Sequence, residues 1–237
     1  MGKTYACSDL HGMLAFYQSI KEYISPEDTV YFLGDAGDRG PQPWECIKTI
    51  LNDHQFIYIK GNHEDLLVQA LGNGYGSDYA LLYMNGGEKT YEECMNESDW
   101  KQWRKSLDEL PTKLEYVNTR GERIILSHAG FTPCLRKDGT EGFVWDEDLI
   151  WDRKHFHDEW PEDECFEKTF IVHGHTPIPY LEEIFYWDII FEDENEDEHY
   201  PFIYADGHKI DIDAGCVFQK KCILLDLDTF DSILFTA

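Results

Sequence analysis

Positive charge is scarce in this chain. Lys and Arg number 20 against 47 Asp and Glu, a formal net charge of −27 at pH 7. Nucleic acid and anionic membrane are held mainly through Lys and Arg, so both are excluded as expected partners. Paired cysteine motifs are also lacking. Cys7, Cys46, Cys94, Cys134, Cys165, Cys216 and Cys222 form an odd, scattered set without a CxxC pair, which argues against a disulfide-stapled secreted scaffold and fits a reducing cytoplasm. No apolar run approaches the roughly 18 to 20 residues of a membrane span. Asp9 arrives too early for a secretory leader. Apolar residues are nevertheless plentiful, 42% hydrophobic and 15% aromatic over 237 residues, enough for a packed core. With no internal repeat and no long linker, a single domain over 1–237 is expected.

Short apolar runs alternate with amphipathic ones. Thr4 to Cys7, Thr29 to Leu33 and Phe56 to Ile59 read as strands. Met13 to Ile24, Trp44 to Leu51 and Glu64 to Leu71 place apolar residues at helical spacing. Strand, polar loop and helix recur three times, the pattern of an α/β domain with buried, largely parallel strands. Residues 72–120 change character, rich in glycine and then polar, and predict a helical insertion in which Trp100 and Trp103 serve packing. Strands return at Arg123 to Leu126, Thr169 to Val172, Lys209 to Ile212 and Cys222 to Leu227. The segment 182–199 holds nine acids and no Lys or Arg, an acidic loop.

Five of these runs end at a residue type that binds metal: Asp9 and His11, Asp35, Asn62 and His63, His128, and His175. In α/β sheets the loops beyond strand C-termini are where ligands bind, so these side chains are expected to converge. Asp9, His11 and Asp35 then offer one cation a mixed oxygen and nitrogen set. Asp35, Asn62, His128 and His175 offer a second, with Asp35 shared. Two divalent cations about 4 Å apart suit phosphoester hydrolysis. Carboxylate, imidazole and amide ligation without thiolate favours Mn, with Fe or Zn as alternatives.

Ser8-Asp9-Leu10-His11-Gly12, Gly34-Asp35-Ala36-Gly37-Asp38-Arg39-Gly40, Gly61-Asn62-His63-Glu64, Ser127-His128-Ala129-Gly130 and His173-Gly174-His175-Thr176-Pro177 resemble, in order and spacing, the signatures of the calcineurin-like metallophosphoesterases. The likeness is nearest the phosphoprotein phosphatase branch, and Asn85-Gly86-Gly87 with Leu149-Ile150-Trp151-Asp152-Arg153 is similar to its bacterial and bacteriophage members. The resemblance implies an α/β fold of two packed mixed sheets flanked by helices, a four-layer α/β/β/α sandwich with the metals at one edge. It implies the same two ligand sets. It also implies that His63 stays off the metals as general acid, oriented by Asp38, and that Arg39, Arg153 and Asn62 hold the substrate phosphate.

The family's nuclease and phosphodiesterase branches read Gly-His-x-His late in the chain, whereas here Gly174-His175 precedes Thr176-Pro177. That departure favours a phosphomonoesterase. The leading expectation is a phosphoserine or phosphothreonine protein phosphatase using a metal-bridging hydroxide, acting on phosphorylated proteins or small phosphomonoesters. Symmetrical dinucleoside tetraphosphatases share the motifs and are the alternative, ahead of an inactive scaffold. His173 is expected to be structural, Asp211 and Asp213 to support the site by hydrogen bonding, and His54, His155, His157, His199 and His208 have no assigned role. Two divalent metals with two arginines would make the pocket cationic despite the anionic surface, which favours phosphosites in basic surroundings.

Overall fold

The alternation of side chains along each strand sorts the apolar residues of this chain onto three parallel layers of core. A computed structural model describes residues 2–144, 148–181 and 200–237. The acidic segment 182–199 lies outside the described residues. In chain order the strands are β1 (Thr4–Cys7), β2 (Thr29–Phe32), β3 (Phe56–Tyr58), β4 (Lys113–Val117), β5 (Arg123–Ser127), β6 (Pro133–Leu135), β7 (Glu141–Phe143), β8 (Thr169–His173), β9 (Phe202–Tyr204), β10 (Lys209–Asp211), β11 (Lys221–Asp226) and β12 (Ser232–Thr236). The helices are α1 (Leu14–Tyr23), α2 (Pro43–Asn52), α3 (Asn62–Asn73), α4 (Ser77–Met84), α5 (Glu88–Met95), α6 (Trp100–Asp108) and the short α7 (Cys216–Gln219).

Two five-stranded sheets form, in the orders β12-β11-β1-β2-β3 and β4-β5-β8-β10-β9, with a separate β6-β7 pair. Both sheets are mixed. β1, β2 and β3 run parallel, as do β5, β8 and β10, while β11, β12, β4 and β9 pair antiparallel. On β1, Tyr5 and Cys7 face the helices while Ala6 faces the second sheet; on β11, Cys222 and Leu224 face the helices while Ile223 and Leu225 turn inward. The inward set meets Ile124, Leu126, Val172 and Ile210 of the second sheet, making the layer between sheets. Ile125 and Ile171 point to the opposite face, where Phe131, Trp160 and Phe166 cover them.

Local chemistry sets the helix ends. Pro43 opens α2, where a missing N–H costs nothing, and α1 stops ahead of Ser25-Pro26 because Pro cannot continue it. The expected helical insertion over 72–120 is narrower in the structure. Three helices occupy 77–108, and residues 113–117 instead form β4, an edge strand of the second sheet. Within this insert Trp103 meets Trp44 edge-on at 5.6 Å, and Trp100 and Trp103 both pack on the helix-side core, as expected. No helix among the described residues is long and apolar enough to cross a membrane.

Candidate active site

The C-terminal ends of β1, β2, β3, β5 and β8 open on one edge of the two sheets, and their loops are stitched there by backbone hydrogen bonds. Asp9 N donates to Gly34 O at 3.1 Å, His11 N to Asp35 O at 2.9 Å, and Gly174 N to His128 O at 2.8 Å. Gly34 is required: its φ is +92°, and a Cβ there would come within 2.6 Å of the Gly61 backbone and 2.9 Å of the His128 ring. Among the described residues ten non-glycine positions have positive φ, and Asp9, His11, Asp35, Asp38, Arg39 and His175 are six of them. Each left-handed residue costs on the order of 1 kcal/mol, so the surrounding structure must hold the site loops in place.

Much of that restraint comes from Glu64, for which the sequence offered no role. Its buried carboxylate accepts from Asp35 N at 2.8 Å, Ala36 N at 3.0 Å, Gly61 N at 2.9 Å and Tyr58 Oη at 2.8 Å. One side chain in the first turn of α3 thus fixes the loops after both β2 and β3. The first four amides of a helix cannot be satisfied from within it, and Glu64 reaches back to the N-cap amide of Gly61.

The candidate ligands converge as expected. His11 Nε2 lies 3.7 Å from Asp35 Oδ2 and 4.0 Å from Asp9 Oδ1. On the other side of Asp35, Oδ1 is 3.4 Å from His128 Nε2. His128 Nε2 is 2.9 Å and His175 Nδ1 3.1 Å from Asn62 Oδ1, and the two ring nitrogens are 3.2 Å apart. His11, Asp35 and His63 form one group whose ligand atoms lie within 4.8 Å of each other, and Asp35, His128 and His175 form another. All of these side chains are buried.

His63 is as near Asp35 (3.8 Å) as His11 is, but it is engaged elsewhere. Its Nδ1 is 2.6 Å from Asp38 Oδ2, and Asp38 in turn accepts from the Thr90 hydroxyl. Arg39 spans the two histidines, with Nη1 2.6 Å from His11 Nε2 and Nη2 2.8 Å from His63 Nε2. Its backbone N donates to Gly86 O at 3.2 Å, which accounts for Asn85-Gly86-Gly87 as the support of the Arg39 loop.

Burial pushes the Asp9 carboxyl up to about 6, reinforced by Asp35 nearby. Asp35 moves the opposite way: burial disfavours its charge, but His128, His63 and His11 outweigh that and hold it well below the carboxylate range. Burial likewise opposes a charge on His63, yet Asp35 and the bond to Asp38 leave its pKa above the ordinary value. Divalent cations fit this set. Asp9 Oδ1 and His175 Nε2 are buried without a hydrogen-bond partner, and such orphans are costly unless something coordinates them.

Arg153 is brought to the same edge. Asp213, Asp35, Asp9 and Arg39 are the charges that act on it, and its Nε is buried and unpaired. Trp151 meets His175 edge-on at 6.2 Å. Asp211 accepts from Asp213 N, and Asp213 from Gly215 N, both at 2.9 Å, in the supporting role expected of them. His173 stands outside both ligand groups. The unforeseen contributor, besides Glu64, is Thr90, which touches Asp38 from 52 residues away, so no local pattern announced it.

The calcineurin-like phosphoesterase profile matches residues 2–223. The asymmetrical bis(5'-nucleosyl)-tetraphosphatase PrpE of Oceanobacillus iheyensis is 28% identical over 214 residues, 81% of this chain and 71% of that protein. The fold is also similar to that of a protein serine/threonine phosphatase from Saccharomyces cerevisiae, with a TM-score of 0.56, 13% identity and coverage of 100% and 80% of the two chains. A cold-active protein-tyrosine phosphatase of a Shewanella species has a TM-score of 0.56 and 17% identity, covering 99% of this chain and 77% of its own. With the ordered motifs converging at one sheet edge and the profile spanning nearly the whole sequence, the chain belongs to the calcineurin-like phosphoesterase family.

Proposed function

We propose that this phosphoester hydrolase is a phosphomonoesterase whose main substrates are phosphoserine and phosphothreonine in proteins. The observation that carries the reading is the His63–Asp38 pair, 2.6 Å apart and buried, with the His63 pKa raised. An alkoxide is a poor leaving group and gains most from a proton donor, whereas a nucleotide leaves a phosphoanhydride with little help. A positioned acid is worth about 10² to 10⁴ in rate.

Asp9, His11 and Asp35 would hold one divalent cation, and Asp35, Asn62, His128 and His175 the other, Mn being favoured by the donor set. Bound there, the cations polarise phosphoryl oxygens and supply a nucleophile at neutral pH. Arg39, whose fork meets His11 and His63 in this structure, would turn it to the phosphate together with Arg153, with Asn62 beside them, and stabilise the charge on its oxygens in a loose transition state. Once the phosphate draws Arg39 Nη2 away from His63 Nε2, which it contacts here at 2.8 Å, His63 would carry a proton on Nε2 and pass it to the leaving oxygen while Asp38 keeps Nδ1–H in place. The seven unpaired cysteines support a cytoplasmic setting.

A second reading, hydrolysis of dinucleoside polyphosphates, is favoured by the name of the O. iheyensis relative, which denotes the asymmetrical reaction rather than the symmetrical one expected from the motifs. His63→Asn separates the two. With Mn present, the variant should lose about 10²-fold or more on a phosphoserine peptide and little on p-nitrophenyl phosphate. Faster wild-type turnover of diadenosine tetraphosphate than of the peptide, unaffected by the substitution, would favour the second reading.

A further inference from the structure

Behind the site lies a buried polar network that the proposed chemistry does not use. It comprises His155 in a short 3-10 turn (Lys154–His157), His173 at the end of β8 and Tyr204 at the end of β9. Tyr204 Oη is 2.9 Å from His155 Nδ1 and 2.7 Å from His173 Nε2. His173 Nδ1 donates onward to Gly174 O at 3.0 Å. Both imidazoles are almost wholly buried, 1% and 0% exposed, and meet edge-on at 5.0 Å. Lys209 Nζ anchors the far end by donating to His155 O at 2.7 Å.

The network ends on both loops of one ligand group. The Gly174 carbonyl belongs to the peptide that leads into His175, whose φ of +73° is left-handed. The same two rings fill the space beside Gly130, two residues beyond His128. A Cβ at Gly130 would come within 2.5 Å of His155 Cε1 and 2.8 Å of His173 Cδ2. A strained histidine keeps its conformation only while its neighbours hold the peptide; here Asp9 Oδ2 accepts from the His175 N–H at 3.0 Å, and the Gly174 carbonyl accepts from Thr176 N at 2.9 Å and from the His173 ring, which the Tyr204 hydroxyl orients.

We propose that Tyr204, acting through His173 and His155, is a positioning residue that sets the His128 and His175 loops so that their imidazoles share one cation. The proposal rests on the reading of His128 and His175 as ligands. Groups that orient metal-binding side chains typically change affinity or activity about 10- to 100-fold when lost.

The test titrates chelator-treated full-length protein with Mn by calorimetry, comparing wild type, Tyr204→Phe, His155→Gln and His175→Ala. Two Mn ions are expected for the wild type. Tyr204→Phe should weaken one of them about 10-fold or more, leave the other unchanged, and recover wild-type turnover at saturating Mn. His155→Gln should weaken the same ion, which keeps the inference testable if one variant fails to fold. Two ions bound by both network variants with wild-type affinity would overturn the positioning role, whatever their melting temperatures. Equal weakening of both ions would overturn it too, because a general loss of structure does that. If the wild type binds fewer than two ions, or His175→Ala keeps both with full affinity, the ligand reading itself fails and takes this inference with it.

Discussion

Replacing Glu64 by Ala should destabilise the fold more than any other single change at a charged residue of the site edge. The substitution removes the only acceptor among the described residues for three buried amides, Asp35 N, Ala36 N and Gly61 N, and one partner of the Tyr58 hydroxyl. An unmet buried donor costs about 1–3 kcal/mol, so the three amides alone represent about 3–9 kcal/mol. Two effects offset part of this. Burial raises the Glu64 pKa, so removing the carboxyl relieves a desolvation cost, and water admitted to the new space pairs some donors. The net expectation is about 3–5 kcal/mol, a large share of the stability of a typical domain. At about 2–4 °C per kcal/mol for a chain of this size, melting should fall by about 6–20 °C. Glu64→Gln keeps the shape and one full acceptor. With its amide placed at the Oε1 position, the Tyr58 hydroxyl can turn to accept and only the Ala36 amide goes unmet, about 1–2 kcal/mol. Urea unfolding at pH 7, with metal chelated, measures both. An Ala variant within about 1 kcal/mol of wild type, or a Gln variant as damaged as the Ala one, would refute the clamp.

Three other outcomes follow from the same structure. Lys209 is fully buried and its pKa is lowered to about 8 by burial against an ordinary 10.5. The unfolded chain therefore binds the extra proton between those values, so the cost is complete below pH 8 and is relieved as pH rises towards 10.5. Relative to Lys209→Met, wild type should gain about 3 kcal/mol between pH 7 and 10.5, and parallel stability profiles for the two proteins would contradict this. Arg153→Ala should raise KM for a phosphopeptide about tenfold or more without changing Mn stoichiometry, since one charge-assisted hydrogen bond is worth about 1.5–3 kcal/mol; an unchanged KM removes Arg153 from the phosphate site. Phosphopeptides flanked by Arg should turn over faster than those flanked by Glu, given the −27 net charge, and the preference should fade with salt. Equal rates at low salt would show that the surface charge does not select substrates.

Part of this site was legible because local and tertiary signals coincide in it. A metal-ligand residue right after a buried strand reads as a motif, and the parallel strands carry those positions to one edge, so Asp9, His11, Asp35, Asn62, His128 and His175 come together, with His63 joining His11 and Asp35 more closely than Asp9 does. The narrower helical insertion shows the opposite case. Lys113 to Val117 is half exposed and polar at alternate positions, and only pairing with β5 makes it a strand. The short β9 has the same origin, three residues that owe their conformation to β10.

The sequence by itself determined the family, the candidate ligands and the candidate general acid, because these depend on residue types at short spacing beside strands. Tertiary structure alone decided how the ligands are held. Glu64 binds a loop 28 residues away, Thr90 braces Asp38 from 52 residues away, and Tyr204 joins rings 49 and 31 residues distant. Hydrogen bonds of that range follow from which sheet edges and loops come together, and linear periodicity carries no record of that meeting.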